Sequence, residues 1–166
     1  MISLVPESAG VLHASVPIYD FASQSISERQ HQFETMKAIM LANNGIGLAA
    51  PQVGLALNFF IMMAGDATII CYNPQIVSAS NQIDIATEGC LSFKGLMLPV
   101  KRPQSISVRY QNIYGDTIED TFDGMEARCF QHELDHLNGV TFTKRVGQVT
   151  LALAQKRRTK KGKHVK

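Results

Sequence analysis

The stretch QHELDHLNG, residues 131–139, decides how this chain of 166 residues is interpreted. It contains His132-Glu133-Leu134-Asp135-His136, which matches the pattern H-E-x-x-H. On an α-helix, residues i and i+4 share a face, so both imidazoles can present a nitrogen to one metal ion. Glu133 lies beside them and can exchange a proton with a water at that ion without being a ligand. The alternative is a polar helix face with two histidines in ordinary hydrogen bonds.

The motif needs a third ligand, because catalytic sites of this kind use three protein ligands and a water. After His136 the sequence has no Asp or Glu, and its one histidine, His164, lies in a basic tail. Two upstream cysteines therefore compete. Cys129 lies one turn before the first histidine, where three ligands from adjacent turns would strain the geometry, so core packing is favoured for it. Cys90, in TEGCLSFKG at residues 87–95, is the better candidate, since a thiolate between two strands can meet the helix in space.

A second glycine-rich stretch, GIGLAAPQVG, occupies residues 45–54. Gly45 and Gly47 allow another backbone to approach closely, although a tight turn between a helix and a strand would also need them. The stretch lacks the G-x-x-x-x-G-K-[ST] pattern of a phosphate-binding loop. Gln52 can donate from its amide to a developing oxyanion, or it can be a structural hydrogen bonder.

The hydrophobic pattern predicts helices and strands in an irregular order. Helices are predicted at residues 25–43 and 124–137, strands at residues 55–63, 68–72, 75–80 and 105–110, and a hairpin at residues 112–122. Asn73-Pro74 is expected to end the second of these strands. Because strands and helices do not alternate regularly, we predict the α+β class.

The composition indicates a globular protein of one domain, with 45% hydrophobic and 18% charged residues. No apolar run is long enough to span a bilayer, and the first residues do not resemble a secretory signal, so no membrane partner is expected. Three cysteines without such a signal argue against a disulfide framework and for a reducing cytosol. The absence of Trp and the low aromatic content argue against a stacking surface for single-stranded nucleic acid.

The charge is unevenly distributed along the chain. Residues 156–166 carry seven of the 16 basic residues and no acidic one, which leaves nine basic against 14 acidic residues in residues 1–155. We therefore predict a catalytic domain over residues 1–155 and a solvated, partly disordered basic tail over residues 156–166.

Three segments occur in order: GIGLAAPQ (45–52), EGCLS (88–92) and QHELDH (131–136). Together they resemble the three signature motifs of peptide deformylases, and the resemblance extends from about residue 30 to residue 145. It implies a compact α+β fold in which small antiparallel or mixed sheets surround a central H-E-x-x-H helix. It also implies a metal-dependent hydrolase that removes the formyl group from N-formylmethionine at the start of new polypeptides and releases formate.

The resemblance assigns roles to the residues of the motifs. It implies one divalent metal ion per chain, held by Cys90, His132 and His136, with Fe²⁺ as the native ion and Zn²⁺, Ni²⁺ or Co²⁺ as substitutes. It implies that Glu133 moves protons as general base and acid, while the Gln52 side chain and the Leu91 backbone N–H stabilise the oxyanion. Glu88 is expected to orient arginine or backbone groups around the site.

The same resemblance predicts how a peptide binds. The peptide is expected to add as an extended strand along Ile46-Gly47, near Gly89, and its methionine side chain is expected to enter an apolar pocket. Candidate contributors to that pocket are Ile46, Met125 and Cys129; simple core packing is an equal alternative for Met125. After Phe93, Lys94–Met97 replace a proline and an arginine that are common in the family, and Arg102 is expected to keep a basic contact there.

We expect a monomer in the bacterial cytoplasm, in an organelle matrix, or in a host cytoplasm if the gene belongs to a phage. The alternative to a merely solvated tail is the hypothesis that it contacts ribosomal RNA, where nascent chains emerge. Two alternatives remain, a diverged metalloprotease and an inert metal-binding or ribosome-associated module. The lack of a downstream ligand argues against the protease, and Glu133 and Gln52 argue against the inert module.

Overall fold

The computed structural model describes residues 2–163, which form an α+β fold as predicted. The elements follow in the order α1 (Ile26–Ala42), β1 (Gly47–Ala49), β2 (Phe59–Ala64), β3 (Ala67–Ala79), β4 (Ile83–Glu88), β5 (Leu98–Pro103), β6 (Ser105–Gln111), β7 (Thr117–Asp123), α2 (Gly124–Leu137) and α3 (Gln148–Lys163). Among residues 2–163, no helix combines the length and hydrophobicity that a membrane span requires.

The strands form two antiparallel sheets. One has five strands in the order β1-β2-β3-β6-β7, and the other is the hairpin of β4 and β5. Neighbours in both sheets run antiparallel. β1 pairs with β2 on one side only, so its other backbone edge is open within the sheet.

Helix α2 lies at the centre, as the family resemblance implied, because ten of its 14 residues are buried. It packs against the larger sheet and also contacts β5 of the hairpin. Phe130 anchors it to the larger sheet, with ring centroids 5.0 Å from Phe60 and 5.8 Å from Phe122. The helix begins after Asp123 and ends before Asn138, at the residues that the sequence indicated.

Helix α1 also agrees with its predicted bounds. Its first turn is closed by a capping box, in which the Ser25 hydroxyl accepts from the Glu28 N–H and the Glu28 carboxylate accepts from Ser25. Met36 and Met40 are fully buried in a cluster with Leu48 and other residues of the larger sheet.

The structure departs from the sequence interpretation in three places. β3 does not end at Asn73-Pro74 but continues through a β-bulge at that point. Asn73 stabilises the bulge by hydrogen bonds to Tyr19 and Gln111. β4 and β5 were not predicted. Two prolines in β5 obscure its strand pattern, because proline in a strand is tolerated only at sheet edges. The tail is helical through Lys163, so α3 crosses the expected boundary at residue 156. Residues 164–166 of the predicted tail, which include His164, lie outside the described part.

Candidate active site

The structure brings the three predicted ligands together. One donor atom each from Cys90, His132 and His136 lies within 4.8 Å of the others, and the Cys90 Sγ is 3.3 Å from the His136 Nε2. Helix α2 presents both imidazoles on one face, and Cys90 comes two residues after the end of β4. Cys129 does not join this group, because its Sγ contacts the Ile46 carbonyl at 3.4 Å.

The surroundings of the two histidines suit a cation. The His132 Nδ1 lies 2.9 Å from a Glu88 oxygen, which leaves Nε2 as the free ring nitrogen. Burial lowers the pKa of His132, but contacts with Cys90 and Glu88 outweigh it and raise the pKa to about 10. The negative surroundings that hold a proton there would also stabilise a metal ion. For His136, burial and the neighbouring His132 lower the pKa, so its imidazole is neutral and can act as a ligand.

The donor set therefore fits one divalent transition-metal ion. A thiolate and two imidazoles are ligands that Zn²⁺, Fe²⁺, Co²⁺ and Ni²⁺ all accept. Because the chain supplies three ligands, a water or substrate can be the fourth, as a catalytic site requires.

Glu133 lies next to this group with a free carboxylate oxygen. Its Oε2 is buried and has no hydrogen-bond partner among the side chains that the structure describes. Burial, together with the charge of Glu88, raises the pKa of Glu133 to about 7 against the opposing effects of His132 and Arg102. A carboxyl group with a pKa near neutrality can both accept and return a proton.

Gln52 directs the donor end of its amide toward the same site. Its Oε1 accepts a hydrogen bond from the Ala49 N–H at 2.8 Å, which determines how the amide is oriented. Its Nε2 is therefore the atom that lies 3.3 Å from the Cys90 Sγ and 3.4 Å from the Ser92 Oγ. Leu91 lies between these two residues and lines the adjoining cavity.

A buried network of charges supports the ligands. The Arg102 guanidinium donates to both oxygens of Glu88, at 2.6 and 2.9 Å, and to Asp135 at 2.9 Å. Arg128 also donates to Glu88, at 2.7 Å, and Arg145 to Asp135 at 2.9 Å. Burial alone would raise the pKa of Glu88, but its bonds to His132 and Arg102 lower that pKa to about 2.

This network corrects one prediction, completes another and shows the role of Asp135. Arg102 is 3% exposed and its guanidinium is bonded to Glu88 and Asp135, so the expectation that it contacts the peptide is wrong. Glu88 does orient arginines, as expected, and Asp135 supports the histidine helix instead of facing solvent. Sequence reasoning missed Arg128, because no local pattern distinguishes a buried arginine from an exposed one on a helix.

A cavity of about 600 Å³ opens beside Glu133 and has the size of typical ligand pockets. The five predicted substrate-binding residues all line it: Ile46, Gly47, Gly89, Met125 and Cys129. Gly47 is required sterically, since a Cβ there would lie 2.5 Å from the Glu133 Oε1 and 2.6 Å from the Cys129 Sγ. Met125 is 60% exposed, so it belongs to the mouth of the cavity and not to the core.

Comparison with known proteins agrees with this site. The sequence model of the family described as polypeptide deformylase matches residues 6–151. A peptide deformylase from Thermotoga neapolitana is 44% identical over 124 residues, which are 75% of this chain and 76% of that protein.

Solved structures show the same fold. A peptide deformylase from Synechococcus elongatus in complex with actinonin has a TM-score of 0.86 and 32% identity, covering 95% of this chain and 86% of that one. The class I type b peptide deformylase from Acinetobacter baumannii with Met-Ala-Ser bound has a TM-score of 0.83 and 28% identity, covering 88% and 98%. On the fold, the site and these relatives, the chain belongs to the polypeptide deformylase family and is an enzyme of the peptide deformylase class.

Proposed function

We propose that the enzyme hydrolyses the formamide of N-formylmethionine at the start of newly made polypeptides and releases formate. The observation that carries this proposal is that Glu133, which has an unpartnered carboxylate oxygen, lines one cavity together with Cys90 and His132 of the Cys–His–His group. A structural metal site would need neither a free carboxylate nor a substrate cavity beside it.

Cys90, His132 and His136 would hold one divalent ion, which when bound lowers the pKa of a water and polarises the formyl oxygen. Fe²⁺ is our proposed native ion. Glu88 accepts from the His132 Nδ1 and so keeps Nε2 available as the ligand atom.

Glu133 moves the protons of the reaction. Its carboxylate takes a proton from the attacking water, and it delivers a proton to the nitrogen of the departing methionine amine. The oxyanion that develops at the formyl carbon receives hydrogen bonds from the Gln52 amide and the Leu91 backbone N–H. Burial of Gln52 and Glu133 excludes bulk water and strengthens these interactions.

The open edge of β1 supports binding of an extended peptide. A formylated chain would add as a strand along Ile46-Gly47, and its backbone would supply most of the hydrogen bonds, so many sequences are accepted. The relative from Acinetobacter baumannii that binds Met-Ala-Ser supports this choice of ligand. The methionine side chain would enter the cavity beside Cys129 and Met125.

The cellular setting follows from this substrate. We propose that the enzyme works as a monomer where formylated chains are synthesised, in a bacterial or host cytoplasm or an organelle matrix. The basic face of α3 would bring it to the ribosome by contact with RNA phosphates.

The test is formate release from formyl-Met-Ala-Ser by protein loaded without oxygen with Fe²⁺ and, in parallel, with Ni²⁺. We expect release from the formylated peptide only, and none from the Glu133→Ala variant, which should still bind one metal ion per chain. Cleavage of an internal peptide bond would indicate a metalloprotease. Bound metal without any turnover would indicate an inert module, and an active Glu133→Ala variant would refute the role of the glutamate.

A further inference from the structure

We propose that Lys94, at the mouth of the cavity, makes the enzyme prefer formylated peptides whose third residue is acidic. This inference rests on the proposed deformylase function, because it concerns the peptide that the same cavity binds.

Among the residues that the structure describes, Lys94 is the exposed cation that lines the cavity. The Asp, Glu, Lys and Arg side chains that line the cavity are Glu88, Lys94, Arg128 and Glu133. Glu88 and Arg128 are buried and bonded to each other, and Glu133 is buried at the catalytic end. Lys94 is exposed and takes part in none of the salt bridges among the described side chains. Its charge is therefore free to interact with a bound peptide.

The turn that carries Lys94 is anchored on both sides. Phe93 and Leu96 are buried in the cluster that includes Phe142, and Gly95 has a φ of +74° that completes the turn. The side chain of Arg158, from α3, approaches this turn, with its Cγ 3.8 Å from the place of a Cβ on Gly95. That guanidinium is bonded to the Glu7 carboxylate at 2.9 Å, so these two charges are already paired with each other.

Strand geometry assigns the preference to the third residue. Successive side chains of an extended peptide point to opposite faces, so the first and third share a face and lie about 7 Å apart. With the formylmethionine side chain in the cavity, the third side chain returns to the mouth of that cavity. The second side chain points away and should show little charge preference.

The size of the effect follows from the exposure of Lys94. Exposed ion pairs are weak, so we expect a glutamate at the third position to raise kcat/KM by about 1.5- to 5-fold over glutamine. A lysine should lower it by a similar factor. Both effects should shrink as the salt concentration rises, because salt screens the charges over a Debye length of about 8–10 Å at ordinary ionic strength.

The experiment compares formyl-Met-Ala-Glu, formyl-Met-Ala-Gln and formyl-Met-Ala-Lys. Each peptide carries a C-terminal amide, which removes a carboxylate that would otherwise mask the effect. The ratio of kcat/KM for the glutamate peptide to the lysine peptide is measured at low and high salt. The proteins are the parent enzyme, Lys94→Gln and Lys94→Glu, with Lys101→Glu as a matched control, since Lys101 is exposed but does not line the cavity.

We expect a ratio above one for the parent enzyme and Lys101→Glu, a ratio near one for Lys94→Gln, and a ratio below one for Lys94→Glu. Equal ratios for the parent enzyme and Lys94→Glu would overturn the inference and leave the deformylase function intact. If the ratio of kcat/KM between glutamate and lysine peptides is larger when the second residue is varied, the assignment to the third residue is overturned. No turnover of any formylated peptide would refute both the function and the inference.

Discussion

At the scale of single residues, the site depends on where small side chains leave space and where polar ones lack partners. Gly47 is the clearest case, because a methyl group there would collide with Glu133 and Cys129. Gln52 is another, since its bond to Ala49 determines which end of the amide faces the site. The constraint on Gly47 comes from distant residues, because Glu133 and Cys129 belong to α2, whereas Gln52 is oriented by a residue three positions away.

We predict that Gly47→Ala lowers kcat by about 100-fold, since displacing a catalytic group by about 1 Å costs that much. The added methyl must push the Glu133 carboxylate away from its position. The measurement is steady-state formate release at full metal occupancy. Gly147→Ala is the control, because a Cβ at residue 147 meets nothing within 4 Å. An unchanged kcat for Gly47→Ala would show that Glu133 tolerates displacement.

At the scale of elements, the site is assembled where α2 meets the β4–β5 hairpin. Cys90 follows β4, whereas both histidines belong to α2, so the distance between the ligands depends on how these elements are held together. Arg102 and Arg128 hold them, because both bind Glu88 at the end of β4 while also reaching other parts of the interface. Arg128 additionally donates to the Val100 carbonyl of β5 at 2.9 Å.

We predict that Arg128→Met lowers the free energy of unfolding by about 3 kcal/mol or more, the usual cost of removing one partner of a buried ion pair. Arg109→Met is the control, since Arg109 pairs with Glu119 on the surface, where such a pair contributes about 1 kcal/mol or less. Urea unfolding of the metal-free proteins measures both changes. Equal losses in the two variants would mean that Arg128 does not fasten α2 to the hairpin.

At the scale of the whole molecule, α3 extends the domain instead of trailing from it. Leu151 and Ala154 pack against the cluster that contains Phe142, and Arg158 is bonded to Glu7 near the start of the chain. The same helix exposes basic side chains at Lys156, Arg157 and Lys160. A packed face and an exposed basic face make α3 suitable for contact with a phosphate backbone.

We predict that exchanging Lys156, Arg157 and Lys160 for glutamine weakens binding to ribosomes by about tenfold or more at low salt, because each basic side chain that neutralises a phosphate releases a counterion and so strengthens binding. Activity on formyl-Met-Ala-Ser should not change, since these side chains do not line the cavity. Co-sedimentation with ribosomes at two salt concentrations measures the effect. Exchange of Lys37 on α1 and Lys101 on β5 is the control, since neither belongs to α3. Binding that is insensitive to the triple exchange would contradict the role of α3.

Local patterns in the sequence were sufficient to predict the fold class and the bounds of α1 and α2, and they named three residues whose donor atoms the structure brings together. They were sufficient because capping residues, apolar spacing and the three motifs each lie within a short stretch of the chain. The i, i+4 spacing alone places His132 and His136 on one face of α2. The residues alone favoured Cys90 over Cys129 as the third ligand, and the family resemblance implied the same assignment.

The relations between distant segments became visible only in the folded chain. Arg102 is buried in the network of Glu88, although its position in sequence suggested a contact with the peptide. Asn73 sustains β3 through a bulge, and α3 is packed and helical. The physical reason is the same in each case: burial and ion pairing depend on partners far away in sequence, and no local pattern identifies those partners.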